Sequence, residues 1–209
     1  MKKKITINEI IFGVSVIFAI VTAILLITIN GFYTNFKLLM LACYIALNFV
    51  PYLIRWIFKV KFPSYINCLY WLFIALTTLA GTIYGVYDLI PYYDVAIHFF
   101  SGVLVGGFAQ YILDKNPSTK NMNLALKVLF IIGFACMIGV IWELWEYFTD
   151  ELLSLNSQRH TSPDGIEYVG HNAISNTIYD LFADLLGGVV FGVSYMIVKI
   201  RYKKNNLKK

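Results

Sequence analysis

Charged residues are scarce in this 209-residue sequence: Asp, Glu, Lys and Arg make up only 14% of it, against about 25% in soluble globular domains. Hydrophobic residues account for 59%, and the mean hydropathy is +0.69. This composition excludes a disordered chain, which needs low hydrophobicity and high charge. It argues against a soluble enzyme, and against a nucleic-acid-binding protein whose basic residues line one face. It favours a helical membrane protein with charged connections.

Several sequence signals are also missing. The three cysteines form no Cys-x-x-Cys pair, so they do not indicate a thiolate metal site or a redox motif. No Ala-x-Ala-like cleavage site follows the first apolar run, and we therefore expect that run to stay as an uncleaved membrane span. No repeat of fixed period and no low-complexity segment occurs. The sequence predicts a single polytopic membrane domain over residues 1–209.

Six apolar runs are each long enough to cross a bilayer as a helix. The strict alternation of barrel strands is missing from them, and open strand edges are not tolerated in lipid. We therefore predict an all-α integral membrane protein in contact with a lipid bilayer. The predicted spans are about residues 8–29, 36–58, 64–88, 93–113, 124–148 and 173–198.

The basic residues predict the orientation of these spans. In a six-span arrangement, fifteen of the seventeen Lys and Arg residues fall on one side, and only Lys37 and Arg159 fall on the other. The positive-inside rule then places both termini in the cytoplasm. Lys outnumbers Arg fourteen to three, which is typical of a low-GC bacterium. The expected location is a bacterial cytoplasmic membrane.

Ionisable residues interrupt only the last three apolar runs, and they come in pairs that share a helix face. The pairs are Asp94 with His98, Glu143 with Glu146, and Asp180 with Asp184. Given the predicted orientation, all six groups lie in the outer third of the membrane, the last pair roughly 10–15 Å deep. Glycines continue the same faces, and small residues let membrane helices approach closely. We expect the three faces to meet.

Carboxylates inside a membrane are costly, and basic residues are nearly absent on this side. Protonation of some carboxylates or a cationic substrate would balance their charge. A divalent metal ion such as Mg²⁺, Mn²⁺ or Zn²⁺ would also do so, held by a pool of ligands that the sequence supplies. The pool comprises Asp94, His98, Glu143, Glu146, Asp180 and Asp184. Glu143, Glu146 and Asp180 are also the candidate general acids and bases. Two alternatives are a path for protons or cations through these acids and hydrogen bonds that only tie the helices together.

Three ordered motifs in the second half of the chain form a recognisable set. They are Asp94-x3-His98-Phe99, Trp142-Glu143-x2-Glu146 and Asn176-x3-Asp180-x3-Asp184. The set resembles the YjdF-like bacterial inner-membrane proteins and is more distantly similar to the VanZ-like membrane proteins. Asn176 stands where the YjdF-like pattern usually has Asp, and Asp184 stands where VanZ-like sequences often have Asn. The resemblance implies a shared polar site in the membrane without naming its substrate.

The function predicted from these residues is a metal-assisted enzyme at the outer leaflet, acting on a lipid-linked or envelope substrate. A proton- or cation-coupled small transporter uses the same acids in a second hypothesis. It is disfavoured because the inner parts of the spans, such as Val103 to Phe108, carry no polar path. A third hypothesis is a non-catalytic envelope or resistance factor, since VanZ-like proteins are linked to glycopeptide resistance. The sequence gives no oligomeric state.

Overall fold

The structure is a computed structural model that describes residues 5–162 and 164–206. The basic residues predicted to flank the membrane at Lys2 to Lys4, Lys208 and Lys209 lie outside the described residues, as does Pro163 of the predicted loop turn. Within the described residues the protein is helical, and its one extended pairing is an isolated bridge between Thr161 and Glu167. The predicted all-α class is confirmed.

Eight α-helices make up this described part of the chain. They are α1 (Ile7–Thr28), α2 (Asn35–Leu47), α3 (Val50–Phe58), α4 (Ser64–Ile74), α5 (Val86–Leu89), α6 (Tyr93–Lys115), α7 (Leu124–Leu153) and α8 (His171–Asn206). A π-helical segment, Ala75–Ile83, continues α4, and a short 3₁₀ turn, Pro117–Thr119, lies between α6 and α7. Among the described residues, five helices are long and apolar enough to cross a membrane, with α4 and its π-helical continuation counted as one, or six if α2 and α3 together form one span.

The second predicted span is bent, and proline explains the bend. The axes of α2 and α3 differ by 41° at a short break. Pro51 has no N–H to donate to the carbonyl of Leu47, four residues earlier, so the helix cannot continue straight. The hydroxyl of Tyr70 donates to that Leu47 carbonyl instead, at 3.0 Å. The Leu47 carbonyl therefore still has a hydrogen-bond donor from the protein, which a backbone group within a membrane needs.

The chain divides into two compact units, one ending at Tyr93 and the other starting at Asp94. The first unit contains α1 to α5, with Tyr44, Trp71 and Ile83 among its buried residues. Some polar groups in its interior are paired with one another: the Ser15 hydroxyl bonds with Tyr44 and Asn48. Such pairing is needed because water is absent from the bilayer core.

The second unit contains α6, α7 and α8, and glycines allow these helices to touch. A Cβ on Gly102 of α6 would meet the carbonyl oxygen of Asp184 on α8, and one on Gly187 would meet the carbonyl oxygen of Phe99. A Cβ on Gly188 would lie 2.8 Å from the Cβ of Ala135 on α7. Close backbone approach through small residues is the usual way that membrane helices pack. The expectation that glycines bring these faces together is confirmed.

Candidate functional site

His98 on α6 is the centre of the polar cluster in the second unit. Its side chain is 6% exposed, and its Nδ1 atom lies 2.8 Å from Oδ2 of Asp184 on α8. Its Nε2 atom lies 3.9 Å from Oδ1 of Asp94, one helical turn earlier on α6. The same atom lies 3.8 Å from Oε1 of Glu143 on α7. The imidazole therefore contacts a carboxylate on each of the three helices.

Asp184 fixes the orientation of the His98 ring. Its Oδ2 atom accepts from Nδ1 of His98, and its Oδ1 atom accepts from the hydroxyl of Ser101. With Nδ1 carrying the proton, the lone pair of His98 lies on Nε2, which points toward Asp94 and Glu143. A carboxylate that holds the second nitrogen of a histidine is a common partner of metal-ligating imidazoles.

Asp94, His98 and Asp180 form a group that fits a metal ion. One ligand atom from each lies within 4.8 Å of the others. Asp180 is completely buried, and its Oδ2 atom accepts from the amide of Asn176 at 2.6 Å. Its Oδ1 atom has no hydrogen-bond partner among the described residues, and neither does Oε1 of Glu143. Buried carboxylate oxygens without partners are costly, so Oδ1 of Asp180 is suited to bind a cation and Oε1 of Glu143 is suited to exchange a proton.

The chemical types of the side chains in the cluster also suit a metal ion. One imidazole nitrogen and several carboxylate oxygens are ligands for Zn²⁺, and the carboxylates also suit Mg²⁺ and Mn²⁺. The amide of Asn176 takes part by donating to Asp180 rather than adding another carboxylate. At the departure from the YjdF-like pattern, Asn176 therefore holds the candidate ligand Asp180 in place through this hydrogen bond.

Glu146 lies at the edge of the cluster. Its Oε1 atom accepts from the indole N–H of Trp142 at 2.9 Å, and its Oε2 atom is buried without a hydrogen bond to any described residue. Glu143 on the previous turn has a different partner, because the amide of Gln158 donates to its Oε2 at 3.4 Å. The two glutamates of the predicted pair thus have different surroundings.

A loop between α7 and α8 covers the cluster. The carboxylate of Asp150 accepts from the backbone N–H groups of Ser157 and Gln158, at 2.8 and 2.9 Å. This anchor places the Gln158 amide against Glu143 and the hydroxyl of Thr177. The next residue, Arg159, has its Nε atom 3.5 Å from Oδ2 of Asp94. The loop therefore contributes both an amide and a positive charge to the acidic group.

Comparison with known proteins assigns the family. The chain matches the family "Predicted membrane protein (DUF2238)" over residues 13–201. The chain belongs to this family. An uncharacterised protein of Thermotoga maritima is 27% identical to this DUF2238 protein over 193 residues, which cover 92% of this chain and 85% of the relative. No solved structure matches.

The DUF2238 structure brings the predicted site residues together to different degrees. Asp94, His98 and Asp180 form the close group, and Glu143 lies beside it. Asp184 contacts His98 through the nitrogen opposite this group, and Glu146 pairs with Trp142. The ligand set as a whole stays a prediction. A VanZ-like relationship also stays a prediction.

Four contributors in this DUF2238 chain were missed from the sequence: Ser101, Asp150, Gln158 and Thr177. Asp150 carried a usable signal, since it lies seven residues after Glu143 and so on the same helix face. Ser101 and Gln158 are uncharged and carried no comparable signal. Thr177 lies within the third motif, next to Asn176, but was not among the predicted site residues. Arg159 was recognised only as a loop cation, whereas the structure pairs it with Asp94.

Proposed function

We propose that this DUF2238 protein is a metal-dependent membrane enzyme acting on a lipid-linked or envelope substrate. The observation that carries the proposal is the group of Asp94, His98 and Asp180, whose ligand atoms lie within 4.8 Å of one another. The His98 ring is held by Asp184 with Nε2 turned toward the acids. The motif resemblance to YjdF-like inner-membrane proteins supports the location and leaves the substrate open.

The side chains divide the work in this proposal. Asp94, His98 and Asp180 hold the cation, and Asp184 positions His98. A bound divalent cation supplies Lewis acidity for a carbonyl or phosphoryl oxygen. Glu143 takes or gives the proton, because its Oε1 is free of hydrogen bonds to described residues while Gln158 steadies Oε2.

A membrane substrate suits these surroundings. The outer surfaces of α7 and α8 carry exposed apolar side chains, such as Trp145 at 62% and Phe182 at 61%. These surfaces face lipid in a membrane-spanning helix bundle. A lipid-linked molecule would reach the carboxylates without leaving the bilayer, whereas a purely aqueous substrate would gain nothing from this placement.

Metal analysis of the purified protein tests the first half of the proposal. We expect about one divalent ion per chain in wild type, and loss of this ion in His98→Ala and Asp180→Asn. Asp114→Asn is the matched control, because Asp114 lies at the other end of α6, about 30 Å along the helix from Asp94. Wild-type protein that takes up no Mg²⁺, Mn²⁺ or Zn²⁺, and melts identically with and without a chelator, would overturn the metal site.

A lipid turnover assay tests the second half. Wild type and Glu143→Gln, each loaded with metal, are incubated with a bacterial membrane lipid extract, and the products are compared by mass spectrometry. We expect a lipid species that is consumed only by wild type, while the metal content of Glu143→Gln stays the same. Equal product profiles from the two proteins would contradict the enzymatic role and leave a metal-binding protein without this activity.

A further inference from the structure

Two buried acceptor atoms of the acidic cluster have no part in the proposed reaction. They are Oε2 of Glu146 on α7 and Oδ1 of Asn176 on α8, and neither accepts a hydrogen bond from any described residue. The other carboxylate oxygen of Glu146 accepts from Trp142 at 2.9 Å. The amide N–H of Asn176 donates to Asp180 at 2.6 Å. An enclosed acceptor without a donor is costly, so the two atoms point to a ligand that donates hydrogen bonds.

The two acceptors belong to facing helices and lie on the loop side of the candidate metal group. Glu146 is one turn beyond Glu143 on α7, and Asn176 is one turn before Asp180 on α8. Because α7 leads into the connecting loop and α8 leads out of it, both positions are one turn nearer this loop. The amide of Gln158 bonds to both helices at this level. A ligand entering from the loop side would meet the two acceptors before it meets the metal group.

The charge of the cluster selects the kind of donor. Five carboxylates gather there, and Glu143 among them is only 4% exposed, with its Oε1 atom unpartnered in the described part of the chain. Arg159 brings one positive charge through Asp94, and a divalent ion would bring two. Lys37, the other basic residue predicted on this side, lies over an aromatic ring of the first unit. With His98 neutral and the carboxylates ionised, two negative charges remain, so a cationic donor fits better than a hydroxyl or an anion.

We propose that these two acceptors bind the primary ammonium group of a zwitterionic lipid headgroup. The inference rests on the proposed function, because it names the class of substrate for the same site. The ammonium donates to Oε2 of Glu146 and to Oδ1 of Asn176, and the phosphate of the headgroup lies toward the metal group. A short carbon link joins the two charges of such a headgroup, and one helical turn, about 5.4 Å, separates the two parts of the site. The acyl chains lie along the exposed apolar faces of α7 and α8.

Lipid titration followed by native mass spectrometry tests the proposal without requiring turnover. The protein in detergent, with and without Mn²⁺, is titrated with phosphatidylethanolamine, phosphatidylcholine, phosphatidylglycerol and water-soluble phosphoethanolamine. Phosphatidylcholine keeps the positive charge but has no N–H group, and phosphatidylglycerol has donors without a positive charge. We expect phosphatidylethanolamine to bind about tenfold more tightly than the other three, since a hydrogen bond to a charged group contributes at least about that factor.

Glu146→Gln tests the charged acceptor, and Glu151→Gln is its matched control. Glu146→Gln keeps the shape of the side chain but removes its charge, so binding of phosphatidylethanolamine should weaken about tenfold. Glu151 is an exposed acidic residue of the same helix, and its replacement should leave binding within about twofold of wild type. Asn176→Asp keeps the acceptor and adds a charge, so binding should be at least as tight as in wild type.

Equal affinity for phosphatidylethanolamine and either of the other lipids would overturn the ammonium as the recognised group. Equal weakening by Glu146→Gln and Glu151→Gln would overturn it in favour of general charge attraction, and phosphoethanolamine that binds as tightly as the lipid would overturn the lipid as ligand. If Glu146→Gln does not fold, Asn176→Asp replaces it, and weaker binding there contradicts the proposal. Selective binding by a protein that takes up no metal would overturn the metal enzyme alone. Metal-dependent turnover without this lipid preference would overturn the present inference alone.

Discussion

The Nδ1 atom of His98 lies 2.8 Å from Oδ2 of Asp184, although 86 residues separate the two in the chain. The contact joins α6 to α8 at the turn where their backbones approach each other. Asp184 also accepts from Ser101, so both of its oxygens are engaged. Asp184 is therefore placed to set the ring orientation and tautomer of His98, and thus the direction of the Nε2 lone pair.

Replacing Asp184 tests this positioning role. Asp184→Asn keeps the shape of the side chain but removes the charge that favours a proton on Nδ1. We expect the affinity for a divalent ion to fall by about 10–100-fold, the usual effect of losing such a partner. Isothermal titration of the purified protein with Zn²⁺ or Mn²⁺ measures the change. Ser101→Ala should have a smaller effect in the same direction, and unchanged affinity in Asp184→Asn would show that Asp184 does not position His98.

The glycine contacts near the cluster predict a stability difference between two positions on α7. A Cβ on Gly139 would lie 2.5 Å from Oδ2 of Asp184, whereas a Cβ on Gly133 would meet no atom within 4 Å. We expect Gly139→Ala to destabilise the protein by about 1–3 kcal/mol through overpacking. Gly133→Ala should melt at or slightly above the wild-type temperature, since alanine favours the helix. Thermal unfolding in detergent measures both, and equal melting temperatures would contradict the close approach.

The loop anchor at Asp150 predicts a local change in dynamics. Asp150→Asn weakens the bonds to the backbone N–H groups of Ser157 and Gln158, and bonds to a charged acceptor contribute about 1.5–3 kcal/mol. We expect faster amide exchange across residues 155–170 with little change elsewhere. Asp164→Asn is the control, because Asp164 is an exposed residue of the same loop. Identical exchange in the two variants would mean that the loop is held by other contacts.

The predicted orientation is open to a direct chemical test. In a chain whose three cysteines are replaced by alanine, we introduce a single cysteine by Ser118→Cys or by Asp164→Cys. The positive-inside rule predicts that only Asp164→Cys reacts with a membrane-impermeant maleimide in intact cells. Ser118→Cys should react only after the membrane is opened. The opposite pattern would place the acidic cluster near the cytoplasmic face.

The helical architecture follows closely from hydropathy, because the bilayer tolerates little else. The predicted limits 93–113 and 8–29 agree with α6 and α1 to within a few residues. Hydropathy alone does not predict the bend within the span 36–58, although Pro51 marks its position in the sequence. The π-helical segment Ala75–Ile83 carries no such mark, since its geometry depends on packing within the first unit.

The sequence could predict which charged residues gather at the site, but not which of them contact each other across helices. Spacing on a helix face was enough to pair Asp94 with His98 and Asp180 with Asp184, since an α-helix has a fixed period. Which member of the α8 pair joins the group of Asp94 and His98 depends on the rotation of α8 against α6, and close packing at Gly187 constrains this rotation. The contribution of Gln158 depends on a loop conformation, and loops leave no periodic trace in a sequence.

The crossing of α6 and α8 at Gly102 and Gly187 limits how a proton or ion could move between these helices. It lies one turn beyond His98 and Asp184, and Gly188 closes against Ala135 of α7 at a similar level. Because the backbones touch there, a continuous chain of water molecules does not fit between the three described helices. We therefore expect a proton or ion that reaches the acids between these three helices from one end to leave by the same end. A site open at one end only would move no net charge across the membrane in a reaction cycle, so we expect its turnover to continue when the membrane is de-energised.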